Sequence, residues 1–349
     1  MLQVERLGVV LYPPKGNDAE TFPRGRKGEY AVFNAGMVLK DGIVHMLYRI
    51  ARNRILSTMN RTDRRGEYEE DCIGHAMLTP EGKLIKDCGK VIEPDNQWDF
   101  SGVQDPRIIF FEGKYYICYC AYNADAANEN NPEKARMGFA VTADFANYRK
   151  LGMIDIPTWD KDHFIFPERI GGKVCLVHRI EPEIYMDYFD SIDSMLNAQS
   201  WKNYDAHTGR SIKIKREFPW ESLKIGGGVP PIRTEKGWIF IYHGVSKPKG
   251  KLCYCAGAAL LDLKHPERIV SRLPYPILAP EAEYEKFGDV DDVVFPVGGY
   301  IYKGKLYISY GGADKVVAIA RIGLDELMTE FDKYSALAEN VEERGGEKQ

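Results

Sequence analysis

The chain has 349 residues, 44% of them hydrophobic and 28% charged, which is a globular rather than a disordered composition. Lys and Arg number 47 against 51 Asp and Glu, a net charge of −4, and this excludes a protein whose main business is coating nucleic acid, because neutralising phosphates needs a basic surplus. No apolar run approaches the ~18 residues of a membrane span, and Glu5 and Arg6 interrupt the start where a secretory leader keeps an unbroken apolar core, so the chain is expected in the cytoplasm.

In chain order, residues 13–30 (PPKGNDAETFPRGRKGEY) read as a polar arm without strand pattern. One motif then recurs: a turn with glycine, a hydrophobic strand, and a polar or small residue at its end. It appears as DGIVHMLYRI (41–50), EGKYYICYCAYN (112–123), GGKVCLVHRI (171–180), KGWIFIYHGV (236–245) and KGKLYISYGGAD (303–314). Aligned on Gly42, Gly113, Gly172, Gly237 and Gly304, the intervals are 71, 59, 65 and 67 residues. A second apolar segment precedes each turn (FNAGMVL, DPRIIFF, FPERI, VPPIRT and VVFPVGGYIY), so every repeat opens as a β-hairpin. After the fifth repeat, Leu324, Leu327, Met328, Phe331, Tyr334 and Leu337 recur at helical spacing and predict a helix over 324–343, packed across the sheets, before a frayed tail. Multi-stranded repeats of this length read as propeller blades. The fold class is all-β: a single five-bladed β-propeller over 1–349 with a C-terminal helix at about 324–349. A β-sandwich with coincidental hairpins stands behind it, since the same hairpin returns five times.

Seven cysteines are scattered without a CxxC pair. Two CxC pairs, Cys118 with Cys120 and Cys253 with Cys255, lie in strand-like runs that put both sulfurs of a pair on one face. Buried free thiols in a reducing compartment are expected, and no metal site. Tyr, Phe and Trp are abundant, which suits strands and also suits carbohydrate. Trp98 and Trp159, in loops before Asp105 and Lys161, are candidates to face a sugar.

In a propeller, residues at equivalent strand ends of different blades converge on the axial mouth. The strand ends supply Arg49, His178 with Arg179, His243 and Asp314. The segments before the hairpins supply Asn34, Asp105 with Arg107, Lys161 with Asp162 and His163, Lys224, and Asp289 with Asp291 and Asp292. Pro106 restrains Asp105 to extended or turn backbone, so a rigid corner before the strand is expected there. Its carboxyl reads as an acid or base, or alternatively as a partner of its own turn. Lys161, Arg179, Lys224 and His243 read together as an anion pocket, or alternatively as cations paired with neighbours such as Asp162 and Glu181. GGGVPP (226–231) lacks the phosphate-loop pattern and reads as a tight turn near the axis.

FNAG (33–36), YRIARN (48–53), QDPR (104–107), KDHFIFPERIGGKVCLVHR (161–179), KIGGGVPPIRTEKGWIFIYHGV (224–245), GDVDDVVFPVG (288–298) and YGGAD (310–314) resemble glycoside hydrolase family 130, over about residues 30–315 and in the family's order. The family contains the β-mannoside phosphorylases and has a five-bladed propeller fold. The resemblance implies that Asp105 is the sole catalytic carboxylate. It implies that Asn34, Arg49 and Asp314, with Arg107 and His163 beside them, hold the sugar, and that Lys161, Arg179, Lys224 and His243 bind phosphate. Lys161 stands where an Arg is expected, and Asp162 and the VDD at 290–292 stand where Asn is expected.

The implied reaction is inverting phosphorolysis of β-mannosides to α-mannose 1-phosphate, with inorganic phosphate as co-substrate and no organic cofactor or metal. An inverting hydrolase needs two carboxylates, whereas phosphate is its own nucleophile and needs cations instead. A β-mannosidase on the same scaffold and a non-catalytic sugar-binding propeller are the alternatives. Carbohydrate and phosphate are the expected partners, with no nucleic acid and no membrane. A homo-oligomer is open, the 13–30 arm or the C-terminal helix being the segments to mediate contacts.

Overall fold

The computed structural model describes residues 2–13, 30–52, 71–95, 98–123, 134–154, 156, 160–202, 204 and 212–345. The chain forms five four-stranded antiparallel sheets arranged in a ring, a five-bladed β-propeller. The amino-terminal strand β1 (Val4–Leu11) belongs to the last blade, and the first blade runs β2 (Tyr30–Lys40), β3 (Ile43–Arg52), β4 (Cys72–Leu78) and β5 (Leu84–Ile92). The second runs β6 (Gly102–Phe111), β7 (Lys114–Asn123), β8 (Lys134–Thr142) and β9 (Arg149–Ile154). The third is β10 (Lys161–Ile165), β11 (Val174–Ile180), β12 (Glu183–Phe189) and β13 (Ile212–Ile214). The fourth is β14 (Lys224–Arg233), β15 (Trp238–Ser246), β16 (Cys253–Leu261) and β17 (Ile269–Arg272). The fifth combines β18 (Val294–Tyr302), β19 (Lys305–Gly312) and β20 (Val316–Gly323) with β1 (Val4–Leu11), which pairs antiparallel with β20 and closes the ring. Its side chain Arg6 latches that closure, its Nε donating to the buried Glu285 Oε1 at 2.8 Å and Nη2 to the Ala279 carbonyl at 2.7 Å.

The expected hairpins are the two innermost strands of each blade. Four of them turn through the pairs Asp41–Gly42, Glu112–Gly113, Gly171–Gly172 and Lys303–Gly304, each with φ positive at both residues, the geometry whose twist matches antiparallel strands. In the third blade the inner strand is KDHFI, and FPERI leads into the turn instead. Polarity grades outward: β15 (WIFIYHGVS) is buried along its whole length, while β5 (LIKDCGKVI) is largely exposed, its lysines guarding an open edge. Apolar side chains of neighbouring blades interlock between the sheets, as where Phe166 meets Trp238 edge-on.

The C-terminal helix spans Leu324–Gly345. Its described side chains pack on β17 and β20 rather than across the ring. Leu327 and Phe331 are buried in the core between the fourth and fifth blades, and Ser271 Oγ of β17 donates to the Phe331 carbonyl at 2.8 Å. Most of the 13–30 arm lies outside the described residues. Cys118, Cys120, Cys175 and Cys255 are buried thiols, Cys88 is exposed rather than buried, and Cys253 Sγ lies 3.7 Å from Cys255 Sγ on one face as expected. Among the described residues no helix is long and apolar enough to cross a membrane.

Candidate active site

β2, β6, β10, β14 and β18 touch in cyclic order around the axis. Each carries a register shift at the same height: between Phe33 and Gly36, Gln104 and Arg107, Lys161 and Phe164, Gly227 and Val229, and Pro296 and Gly298. Such a bulge inserts a residue and re-aims side chains. In the first three blades the bulge holds a left-handed residue: Asn34 (φ 49°), Asp105 (φ 53°) and Asp162 (φ 59°). Asn and Asp tolerate that backbone best among residues with a side chain. Asp105 therefore lies within β6, not on a corner before it, and the bulge rather than Pro106 alone sets its direction.

Asp105 is buried. Its Oδ1 accepts from Asn34 Nδ2 at 2.9 Å and from Arg49 Nη1 at 3.2 Å, and no described residue hydrogen-bonds its Oδ2. Burial by itself would raise its pKa; Arg49, Lys161, the Asn34 hydrogen bond and Arg107 outweigh it and hold the carboxyl below its ordinary range. Arg49 is fixed from behind by Asp71, whose Oδ2 accepts from Arg49 Nε at 2.8 Å and Nη2 and from Gln104 Nε2 at 2.8 Å. Asp314, at φ 51° between β19 and β20, adds its field at the Arg49 guanidinium.

The second cluster comes from the third and fourth blades. Lys161 and Arg179 are register partners across β10 and β11, and Gly226 and His243 across β14 and β15. A Cβ on Gly226 would stand 2.3 Å from His243 Cε1 and 3.0 Å from Arg179 Cδ, so the glycine run is what lets those side chains meet. That run is part of strand β14 and not a turn. Arg179 Nη1 lies 2.9 Å from Asp162 Oδ2 and 3.4 Å from His243 Nε2. Its Nη2 approaches Glu181 Oε1 at 3.2 Å, and Lys224 Nζ donates to the same Glu181 oxygen at 2.8 Å. The buried Arg179 Nε and His243 Nδ1 have no hydrogen-bond partner among the described residues. Burial, against the pull of Asp162, lowers the His243 pKa well below the usual imidazole range, with Arg179, Arg107 and Lys224 adding to it, so the ring is neutral. Burial and Arg179 also lower Lys224.

The family model of glycoside hydrolase family 130, described as β-1,4-mannooligosaccharide phosphorylase, matches residues 14–333. The chain belongs to glycoside hydrolase family 130. It is 29% identical over 332 residues to a 1,2-β-oligomannan phosphorylase of Thermoanaerobacter sp. (strain X514), covering 94% of this chain and 99% of that one. It is 31% identical over 297 residues to a β-1,2-mannobiose phosphorylase of the same strain, covering 84% and 90%. Among solved structures it resembles the β-1,2-mannobiose phosphorylase of Listeria innocua in complex with β-1,2-mannobiose, with TM-score 0.73, 25% identity and coverage of 95% and 99%.

Within this family 130 fold, the site residues expected from sequence divide into three groups. Asn34 and Arg49 meet Asp105, Asp314 acts on Arg49 through its charge, and Arg179, Lys224 and His243 gather with Lys161. Arg107 acts on the Asp105 carboxyl only through its charge, and His163 joins neither cluster. Arg107, 1% exposed, spends four N–H bonds on the carbonyls of Asp105, Gly227 and Gly228 and on Asp162 Oδ1, so it clamps the bulges of three blades together. His163 sets its Nε2 3.0 Å from the Gly138 carbonyl and its ring 4.9 Å from that of Phe139, and burial keeps it neutral with a pKa of about 3. Trp98 carries Arg136 over its face at 4.6 Å, and Trp159 lies outside the described residues. Asp289 sits 3.3 Å from Lys315 as an ion pair.

Asp71 carries no signal in its local sequence, and Gln104, although it heads the QDPR motif, shows no sign there of its bond to Asp71. Pairing of Arg179 and Lys224 with Asp162 and Glu181, the plainer alternative for these cations, is present as well. Behind them, His178 lies between Asp160 and Asp187, whose Oδ2 is 2.8 Å from Nε2. Burial would neutralise the ring, but the two carboxylates push its pKa up to about 10. Asp160 Oδ1 also accepts from the Arg179 backbone N–H at 3.1 Å, which ties this network to the cation cluster.

Proposed function

We propose that this chain is a β-mannoside phosphorylase that works by inversion: phosphate attacks C1 of a terminal β-mannosyl unit and releases α-mannose 1-phosphate and the shortened sugar. Asp105 is the catalytic acid, acting through the mannosyl 3-hydroxyl. The C1–O bond breaks, the leaving oxygen takes the hydroxyl proton, and the hydroxyl is reprotonated from the Asp105 carboxyl. Asn34, Arg49 and Asp314 hold the mannosyl unit. Lys161, Arg179, Lys224 and His243 bind phosphate on the opposite face.

The observation that carries this reading is the asymmetry of the two clusters: one carboxylate with an open Oδ2, and opposite it a group of cations with buried donors to spare, Arg179 Nε and His243 Nδ1. Buried N–H groups without partners cost on the order of 1–3 kcal/mol each, and an oxyanion removes that cost. A phosphate entering beside Lys161 also offsets one of the cations that keep Asp105 ionised, returning the carboxyl toward its acid form.

The hydrolytic alternative needs a second carboxylate as base for water. Asp162, one candidate, is clamped between Arg107 and Arg179, and these hold its pKa far below the usual carboxylate range despite its burial. A carboxylate so stabilised is a poor base.

The test is incubation with β-1,2- and β-1,4-linked mannobiose, with and without phosphate. The family description and the two relatives name different linkages, so both are needed. Phosphate-dependent α-mannose 1-phosphate is the expected product. Release of mannose at full rate without phosphate refutes the reading.

A further inference from the structure

Glu181 follows β11 and stands at the solvent side of the cation cluster. Its Oε1 is shared by Lys224 Nζ at 2.8 Å and Arg179 Nη2 at 3.2 Å. The two cations come from different blades, so a single carboxylate oxygen bridges them in the position an oxyanion would take. The bridge is imperfect. Arg179 Nη2 approaches at ion-pair distance without hydrogen-bond alignment, and Arg179 Nε is left without a partner. The two acids of the cluster are held very differently. Asp162 is buried and gripped by two guanidinium groups, whereas the Glu181 side chain is 45% exposed and can rotate into water. The backbone beside it is anchored, since the Ile225 N–H donates to the Pro182 carbonyl at 3.0 Å, so only the side chain needs to move.

We propose that Glu181 is an internal counter-anion that occupies the Arg179–Lys224 bridge in the unliganded protein and must be displaced by phosphate, and that it thereby sets the phosphate affinity. The inference rests on the phosphorolytic reading. Glu181 is a positioning residue: it keeps two like charges from different blades together while the site is empty, and it lowers apparent phosphate affinity by competing for the same donors. A divalent oxyanion outcompetes it by engaging both cations with separate oxygens and by reaching Arg179 Nε. A monovalent anion, with less charge to offer the pair, displaces it poorly. Glu181 thus favours phosphate over chloride or acetate.

The experiment measures inorganic phosphate binding by calorimetry, with KM for phosphate and for the mannoside, in the wild type, Glu181→Gln and Glu181→Ala. The half-exposed carboxylate competes about as strongly as a surface ion-pair network, so both variants are expected to bind phosphate about three- to tenfold more tightly. Their KM for phosphate falls in parallel, their KM for the mannoside stays unchanged, and chloride inhibits them more strongly than wild type. Phosphate affinity that is unchanged or weaker in both variants overturns the proposal while leaving phosphorolysis standing. A wild type that neither binds nor consumes phosphate overturns both.

Discussion

The two halves of the axial mouth are built alike and finished differently. On the side of the first and second blades, the acid is matched: Asp105 Oδ1 is held by Asn34 and Arg49, and Arg49 is held in turn by Asp71. On the side of the third and fourth blades the same backbone bulge carries Asp162, but it is surrounded by Arg107, Arg179 and the neutral His243, and donors remain unspent. The matched half fixes one functional atom in place. The unmatched half stores capacity for a charge that is not part of the chain. Preorganisation of an acid calls for one oxygen held and the other left open, whereas capture of an anion calls for unspent donors.

The sharpest way to break this comparison is Asp105→Asn. Asn keeps the left-handed backbone and the shape but cannot donate or accept the proton. Turnover is expected to fall about a hundred- to ten-thousand-fold, with circular dichroism and melting temperature close to wild type. Near-normal turnover removes Asp105 from the chemistry.

A smaller loss is expected from the other half. Arg179→Ala removes a buried charged donor, and KM for phosphate should rise about ten- to a hundredfold, while binding of a mannoside in the absence of phosphate is preserved. Equal weakening of both ligands means that the two halves are not separable.

The smallest effect lies behind the site, in the pH dependence of unfolding. His178 has its pKa raised by Asp160 and Asp187, so the stability it contributes is fully present below the unfolded value of about 6.5 and is lost as pH rises toward about 10. Between those values the melting temperature should drop by about 5–10 °C, with a shallower slope in Asp187→Asn. An unchanged slope in that variant removes Asp187 from the network.

The fold was largely legible because glycine turns and apolar strands recur five times, and because the paired strands nearest the axis are the most apolar. The closing strand was not. VERLGVVL has a weak alternation of its own, and its partner β20 lies at the other end of the chain. At the site, residue type and blade position pointed to Asp105, Asn34, Arg49 and the cation group. In sequence the bulge looks like a turn ahead of the strand, since an inserted residue breaks the period-two pattern by which strands are recognised. Arg107 and His163 show a further limit. A sequence reveals that a side chain can donate, but not that the carbonyls of Gly227, Gly228 and Gly138 already consume its hydrogen bonds.

The recurring left-handed bulge restricts what the mouth can become. At positions 34, 105 and 162 the backbone admits Asn, Asp or Gly at little cost and penalises everything larger or branched. Evolution at these points is confined to a small alphabet, in which an amide and a carboxylate exchange without disturbing a single strand. One such exchange alters the local electrical balance by a full unit and leaves the architecture untouched. The propeller thus offers its lineage a cheap route to retune charge, and Asp162, in a place where the family resemblance leads one to expect Asn, is a product consistent with that route.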